Sequence, residues 1–150
     1  MNTPAQTFPQ SLRDIDLIML LDFQGSEEEK QAFIQEMQNA VWQDIADTDL
    51  VGQLTDTEME EIMKMLSDET VPAAAKQEMV TAQLMGKFPN IKEIVSHRAL
   101  QFKADLFRER AEGIKMHYAS NPENVQKVEQ ALATAQGGDY VQAAQLLKQL

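Results

Sequence analysis

Apolar positions recur along this chain at three- and four-residue spacing, the period of an amphipathic α-helix rather than of a strand. Leu12, Ile15, Met19 and Leu20 or Ile18 mark a first helix over about 11–21, with Ser11 placed to cap it and Gln24-Gly25 to end it. Ser26 followed by Glu29 has the spacing of a capping box, and Glu27 and Glu28 suit the positive end of a helix. The helix so opened runs to about Ala46 and buries Phe33, Met37, Val41 and Ile45. Thr55 with Glu58 repeats the box and opens a helix to about Leu66, whose inner face is Met59, Ile62, Met63 and Leu66. Pro72 suits a first helical position, and the helix it starts reaches about Phe88, where Pro89 stops it.

Asn90 starts the longest helix, from Ile91 to about Ala119, with two apolar stripes. Val95, Ala99, Phe102 and Leu106 form one, and Leu100, Phe107, Ile114 and Tyr118 the other. Lys92, Lys103 and Arg110 fall between them, where long stems can lie over apolar surface. Asn121-Pro122 then opens a helix to Gln136, Gly137-Gly138 turns, and Asp139 with Gln142 caps a last helix to Leu150.

The pattern predicts an all-α fold: an irregular helical bundle of about five helices over 11–119, then a C-terminal helical hairpin over 120–150. Residues 1–10 hold two prolines and no periodicity and are read as a mobile arm. The hairpin's helices are too short to stand alone. They must dock on the bundle, on a second copy or on a partner, and an apolar edge with Tyr140 and Leu147 is the candidate partner contact. Composition supports the helical reading, with 43% hydrophobic residues against 5 Pro and 6 Gly.

The stretch from Leu20-Leu-Asp-Phe-Gln-Gly-Ser to Phe33 resembles the opening of a small all-helical domain family of unknown function, found mainly in candidate-phyla-radiation bacteria. Leu50–Ile62, with its Leu-Thr-Asp-Thr-Glu core, and Phe88-Pro-Asn-Ile-Lys-Glu-Ile94 fit the same pattern, so the resemblance spans about 12–110. It implies a bacterial helical bundle and carries no activity to transfer. Over 122–150, Gly138-Asp139-Tyr140 with Ala143 and Leu147 resembles the second half of a tetratricopeptide repeat. Lys127, Gln130 and Thr134 stand where such a repeat has large apolar residues, and a single copy has no neighbour to stack on, so a generic hairpin is the better description.

Charge changes the picture of partners. The net charge is −11, and residues 1–75 carry 16 Asp and Glu against 3 Lys and Arg. A phosphate backbone needs clustered cations, so nucleic acid is not an expected partner. Lys87–Arg110 has six Lys and Arg with interleaved phenylalanines, but those phenylalanines fit the core stripes. The chain has no cysteine, which removes disulfides and thiolate chemistry and suits a reducing compartment. Ile15–Phe23 is too short and too acidic to be a signal peptide or a membrane span, so the expected location is the cytoplasm, with no membrane partner.

No catalytic constellation is recognisable. The sharpest motif is Asp47-Thr-Asp49-Leu-Val-Gly52, with Glu58 twelfth, the outline of a calcium loop. Val51 replaces the fifth ligand, and Thr55 with Glu58 is already explained as a helix cap, so no metal and no cofactor is expected. His97 and His117 lie 20 positions apart on one helix and face nearly opposite ways. Nine methionines remain as a feature, with Met59, Met63 and Met65 close together on one short helix and Met79 and Met85 on the next; methionine fills cores and also lines adaptable partner grooves. The expectation is a non-catalytic intracellular protein-interaction or adaptor module with a protein partner, and a homo-oligomer is compatible with it. An acidic nucleic-acid mimic or inhibitor, a degenerate EF-hand-like calcium-responsive protein, and an enzyme with an unfamiliar carboxylate site are the alternatives.

Overall fold

A computed structural model describes residues 8–150. Of the described residues 76% are helical, in eight helices with no strand, where the periodicity counts seven. They are α1 (Gln10–Asp14), α2 (Leu17–Leu21), α3 (Glu27–Thr48), α4 (Asp56–Ser67), α5 (Ala73–Met85), α6 (Ile91–His117), α7 (Pro122–Gln136) and α8 (Tyr140–Lys148). The extra helix comes from a break in the first one. Ile15 is extended (φ −71°, ψ 132°), and the Asp16 carboxylate then accepts from Ile18 N at 2.7 Å to cap a new turn. Nor is Gly25 the residue that ends α2: Asp22 takes the left-handed conformation (φ 49°), and Phe23 N closes the turn on Ile18 O. Aspartate tolerates that conformation better than most side chains do.

The chain forms two compact units, one of residues up to Gly25 with Leu100–Leu150 and one of Ser26–Ala99. The boundary expected at 119/120 falls inside the first unit, and α6 runs through the division at 99/100 without a break. The core of the first unit holds Phe8, Leu12, Ile15 and Leu20 with Leu100, Phe107 and Ala111 of α6 and a face of α7 and α8. That face is built of Val128, Ala131, Ala135, Ala143, Ala144 and Leu147, all buried. Its small side chains let helix axes approach closely.

The hairpin is therefore part of this core, docked with the segment that precedes it in sequence by more than a hundred residues. Ser11 marks the join. Instead of capping α1, its Oγ donates to Gly138 O at 2.7 Å and accepts from Tyr140 N at 3.0 Å, satisfying the first amide of α8. Of the expected arm, residues 1–7 lie outside the described part, whereas Phe8 is buried and Pro9 is the N-cap of α1.

Two α6 cations complete the unit. Lys103 Nζ donates to Leu12 O (3.1 Å) and Ile15 O (2.7 Å), and Arg110 donates to Leu20 O (2.7 Å). Each takes carbonyls that the end of a short helix leaves unpaired, and burial pushes both groups below their ordinary pKa.

In the Ser26–Ala99 unit the core is Val41, Trp42, Ile45 and Leu50, Ile62 and Leu66 of α4, Val80 and Leu84 of α5, and Phe88, Ile91 and Val95. Lys76 occupies the same α5 face as Val80 and Leu84 and is fully buried, with Nζ donating to Leu66 O at 2.9 Å. Its stem fills a core position while its ammonium meets a free carbonyl at the end of α4. Thr55 and Glu58 form the complete capping box; at Ser26 only the hydroxyl half is made, with Glu29 N donating to Ser26 Oγ at 3.2 Å.

Candidate functional site

The α4–α5 hairpin carries the methionines that the sequence singles out. Three side-chain bonds to α4, two from α5 and one from Lys87 just past its end, fix its antiparallel register: Lys87 to Glu58 (2.9 Å), Gln83 to Glu61 (2.8 Å) and Lys76 to Leu66 O (2.9 Å). Met65 lies one helical turn beyond Glu61, and Met79 one turn before Gln83. The register thus sets Met65 and Met79 at the same level of the two antiparallel helices. Met79 is 46% exposed and Met65 half-buried.

The cluster read from sequence divides in two. Met63 and Met65 are two residues apart, about 200° around a helix. Met65 faces the α5 side, while Met59 (half-buried) and Met63 (38% exposed) share the other flank at a four-residue spacing. Met79, grouped by the sequence with Met85 on this helix but not among the partner candidates, precedes Val80 of the buried stripe by one position, which turns it to the edge of that stripe.

Charge around this hairpin is lopsided. Ser26–Ala99 holds 15 Asp and Glu against 6 Lys and Arg. Four of those cations already have partners: Lys30 with Glu27, Lys76 with Leu66 O, Lys87 with Glu58, and Arg98 with Asp44 and Asp49. Arg98 grips Asp49 through two nitrogens, at 2.8 and 3.2 Å, and this pairing holds the guanidinium above its ordinary pKa.

The same contacts occupy the residues of the calcium-loop outline. Asp49 is bound to Arg98, and Asp47 accepts from Gln43 at 3.1 Å. Glu58 accepts from Thr55 N (2.9 Å) and Lys87, which hold its carboxyl below the usual range, the backbone bond foremost. Gly52 does adopt a positive φ of 72°, but it serves the turn between α3 and α4. Among the described residues no group of three or more His, Cys, Asp or Glu is arranged to hold a metal ion.

A concavity belongs to the other unit. A groove of about 730 Å³ runs between Gln101, Ala104, Asp105 and Arg108 of α6 and Leu132, Ala135 and Gln136 of α7. Tyr140 stands at its end, half-buried, its ring edge-on to Phe107 at 5.5 Å, and burial raises its phenol pKa. Arg108 is bound to Asp105 at 2.7 Å, so the groove holds one internally neutralised charge pair. Leu147, the other partner candidate of the hairpin, is 2% exposed in the core. Of the five partner candidates, then, one is core, one lines the groove and three are on α4.

His97 belongs to one unit and His117 to the other, where it packs edge-on against Tyr118 at 4.8 Å. No described helix is long and apolar enough to cross a membrane. No known family profile, curated protein or solved structure matches this chain.

Proposed function

We propose that this chain is a non-catalytic protein-interaction module that docks a partner on its α4–α5 hairpin. The observation that carries the reading is the seam of Met65 and the exposed Met79 on a hairpin whose register is pinned by three side-chain bonds. Methionine adapts its shape to a partner at small cost, and a braced hairpin spares the entropy of ordering the surface on binding. The groove beside Tyr140 is the weaker surface, because its deepest walls, Phe8 and Phe107, are 7% and 1% exposed and already packed.

The test is residue-specific cross-linking. Full-length protein carrying photoreactive methionine, exposed to an extract of its own cells, should join one discrete polypeptide through Met65 or Met79. Met19 and Met116 are more exposed, at 59% and 79%, and random collision would mark them first. Cross-links confined to those two would contradict the proposal.

A further inference from the structure

Resting on that reading, we propose that the partner of the α4–α5 seam is a cationic amphipathic segment, whose apolar side chains cover Met65 and Met79 and whose Lys or Arg side chains meet the acids beside them. Two independent observations converge. The first is the apolar pair that the register sets level with each other on α4 and α5, with Met79 46% exposed. The second is charge: the unit has 15 acids to 6 cations, and its internal ion pairs leave a large acidic surplus.

That surplus reaches the seam. Glu61 lies one turn before Met65 and is bound only to the neutral Gln83, and Glu78 is exposed beside Met79. Lys64, next to Met65, is the single neighbouring cation on α4 and is outnumbered there. A helix with one apolar and one basic face satisfies both requirements at once. A purely basic chain would leave the methionines wet, and an acidic amphipathic one would set like charges against Glu61 and Glu78.

The experiment uses full-length protein with isotope-labelled methionine methyl groups and three synthetic peptides of about 14 residues, long enough to form a helix on a surface. One has leucine and lysine at heptad spacing, one leucine and glutamate, and one lysine and serine. The leucine–lysine peptide should shift the Met65 and Met79 signals in a saturable way. The Met65→Gln/Met79→Gln variant, with its charge unchanged, should weaken that binding about tenfold.

Binding that the double variant leaves unaltered, or that the lysine–serine peptide matches, would show bulk charge attraction and overturn the proposal. Seam shifts with the leucine–glutamate peptide would overturn the cationic partner while leaving the seam as a docking surface. Shifts at neither methionine with any of the three peptides would overturn both.

Discussion

Leu147→Ala distinguishes a hairpin that belongs to the core from one displayed to a partner. Leu147 is 2% exposed in a cluster with Leu20, Val128 and Ala144, whose small and buried neighbours cannot move into the space it leaves. Leucine-to-alanine changes in such surroundings cost about 2–5 kcal/mol, part transfer free energy and part cavity. The crowding by alanines at 131, 135, 143 and 144 argues for the upper half of that range, since alanine has no rotamer with which to fill a void. At a surface position the same change falls within about 0.5 kcal/mol, and Val141→Ala, at 44% exposure on the same helix, supplies that control.

The chain provides its own probes. Its one tryptophan, Trp42, lies in the Ser26–Ala99 unit and both tyrosines, Tyr118 and Tyr140, in the other. Urea unfolding followed by tyrosine near-ultraviolet dichroism and by tryptophan fluorescence therefore reports each unit. The tyrosine transition of Leu147→Ala should lose at least about 2 kcal/mol at an unchanged slope. A loss no larger than that of Val141→Ala would refute the assignment of the hairpin to the core.

Other consequences follow from single contacts. Lys76→Met keeps the buried stem but strands Leu66 O, so the tryptophan-monitored melt should lose about 1–3 kcal/mol; a gain would mean that burying the ammonium costs more than its bond returns. Glu58 has its pKa depressed in the folded state, so its contribution is present above the unfolded carboxylate pKa and fades as pH falls through the folded value. Glu58→Gln should accordingly flatten part of the acid limb of stability against pH, and an unchanged limb would remove the cap from the account. Calcium at up to about 1 mM, the weak end of the range for such loops, should leave the calorimetric transition where it is, because Asp49 is held by Arg98 and Glu58 by Thr55 and Lys87. A saturable rise in melting temperature, abolished by Asp49→Asn, would restore the calcium loop.

Most helices were legible because caps and apolar spacing coincide: Thr55 with Glu58, Asn121 before Pro122 and Asp139 before Gln142 each stand where a helix begins. The break at Ile15 was hidden because the apolar period continues across it and only the Asp16 cap interrupts the backbone. Ser11 reads as a local cap, yet its partners are 127 and 129 residues away, a distance that no local pattern encodes. The division into two units was illegible for a related reason: one partner segment precedes the Ser26–Ala99 insert, the other follows it, and α6 crosses the boundary with unbroken helical character.

Within the candidate site, the three-methionine cluster was an effect of proximity in sequence, since two positions apart on a helix means opposite flanks. Lys76, by contrast, could have been found: with Val80 and Leu84 it makes an i, i+4, i+8 series on the buried face of α5.

The central claim is that Met65 and Met79 form the apolar half of a partner surface, and the dissociation constant of the cross-linked partner tests it most directly. Full-length protein, the Met65→Gln/Met79→Gln variant and a Met19→Gln/Met116→Gln control should first be matched for thermal unfolding. The account predicts about tenfold weaker binding for the first variant, the equivalent of about 1.4 kcal/mol, and no change for the control. Equal affinity in all three, or a loss confined to the Met19 and Met116 variant, would contradict it.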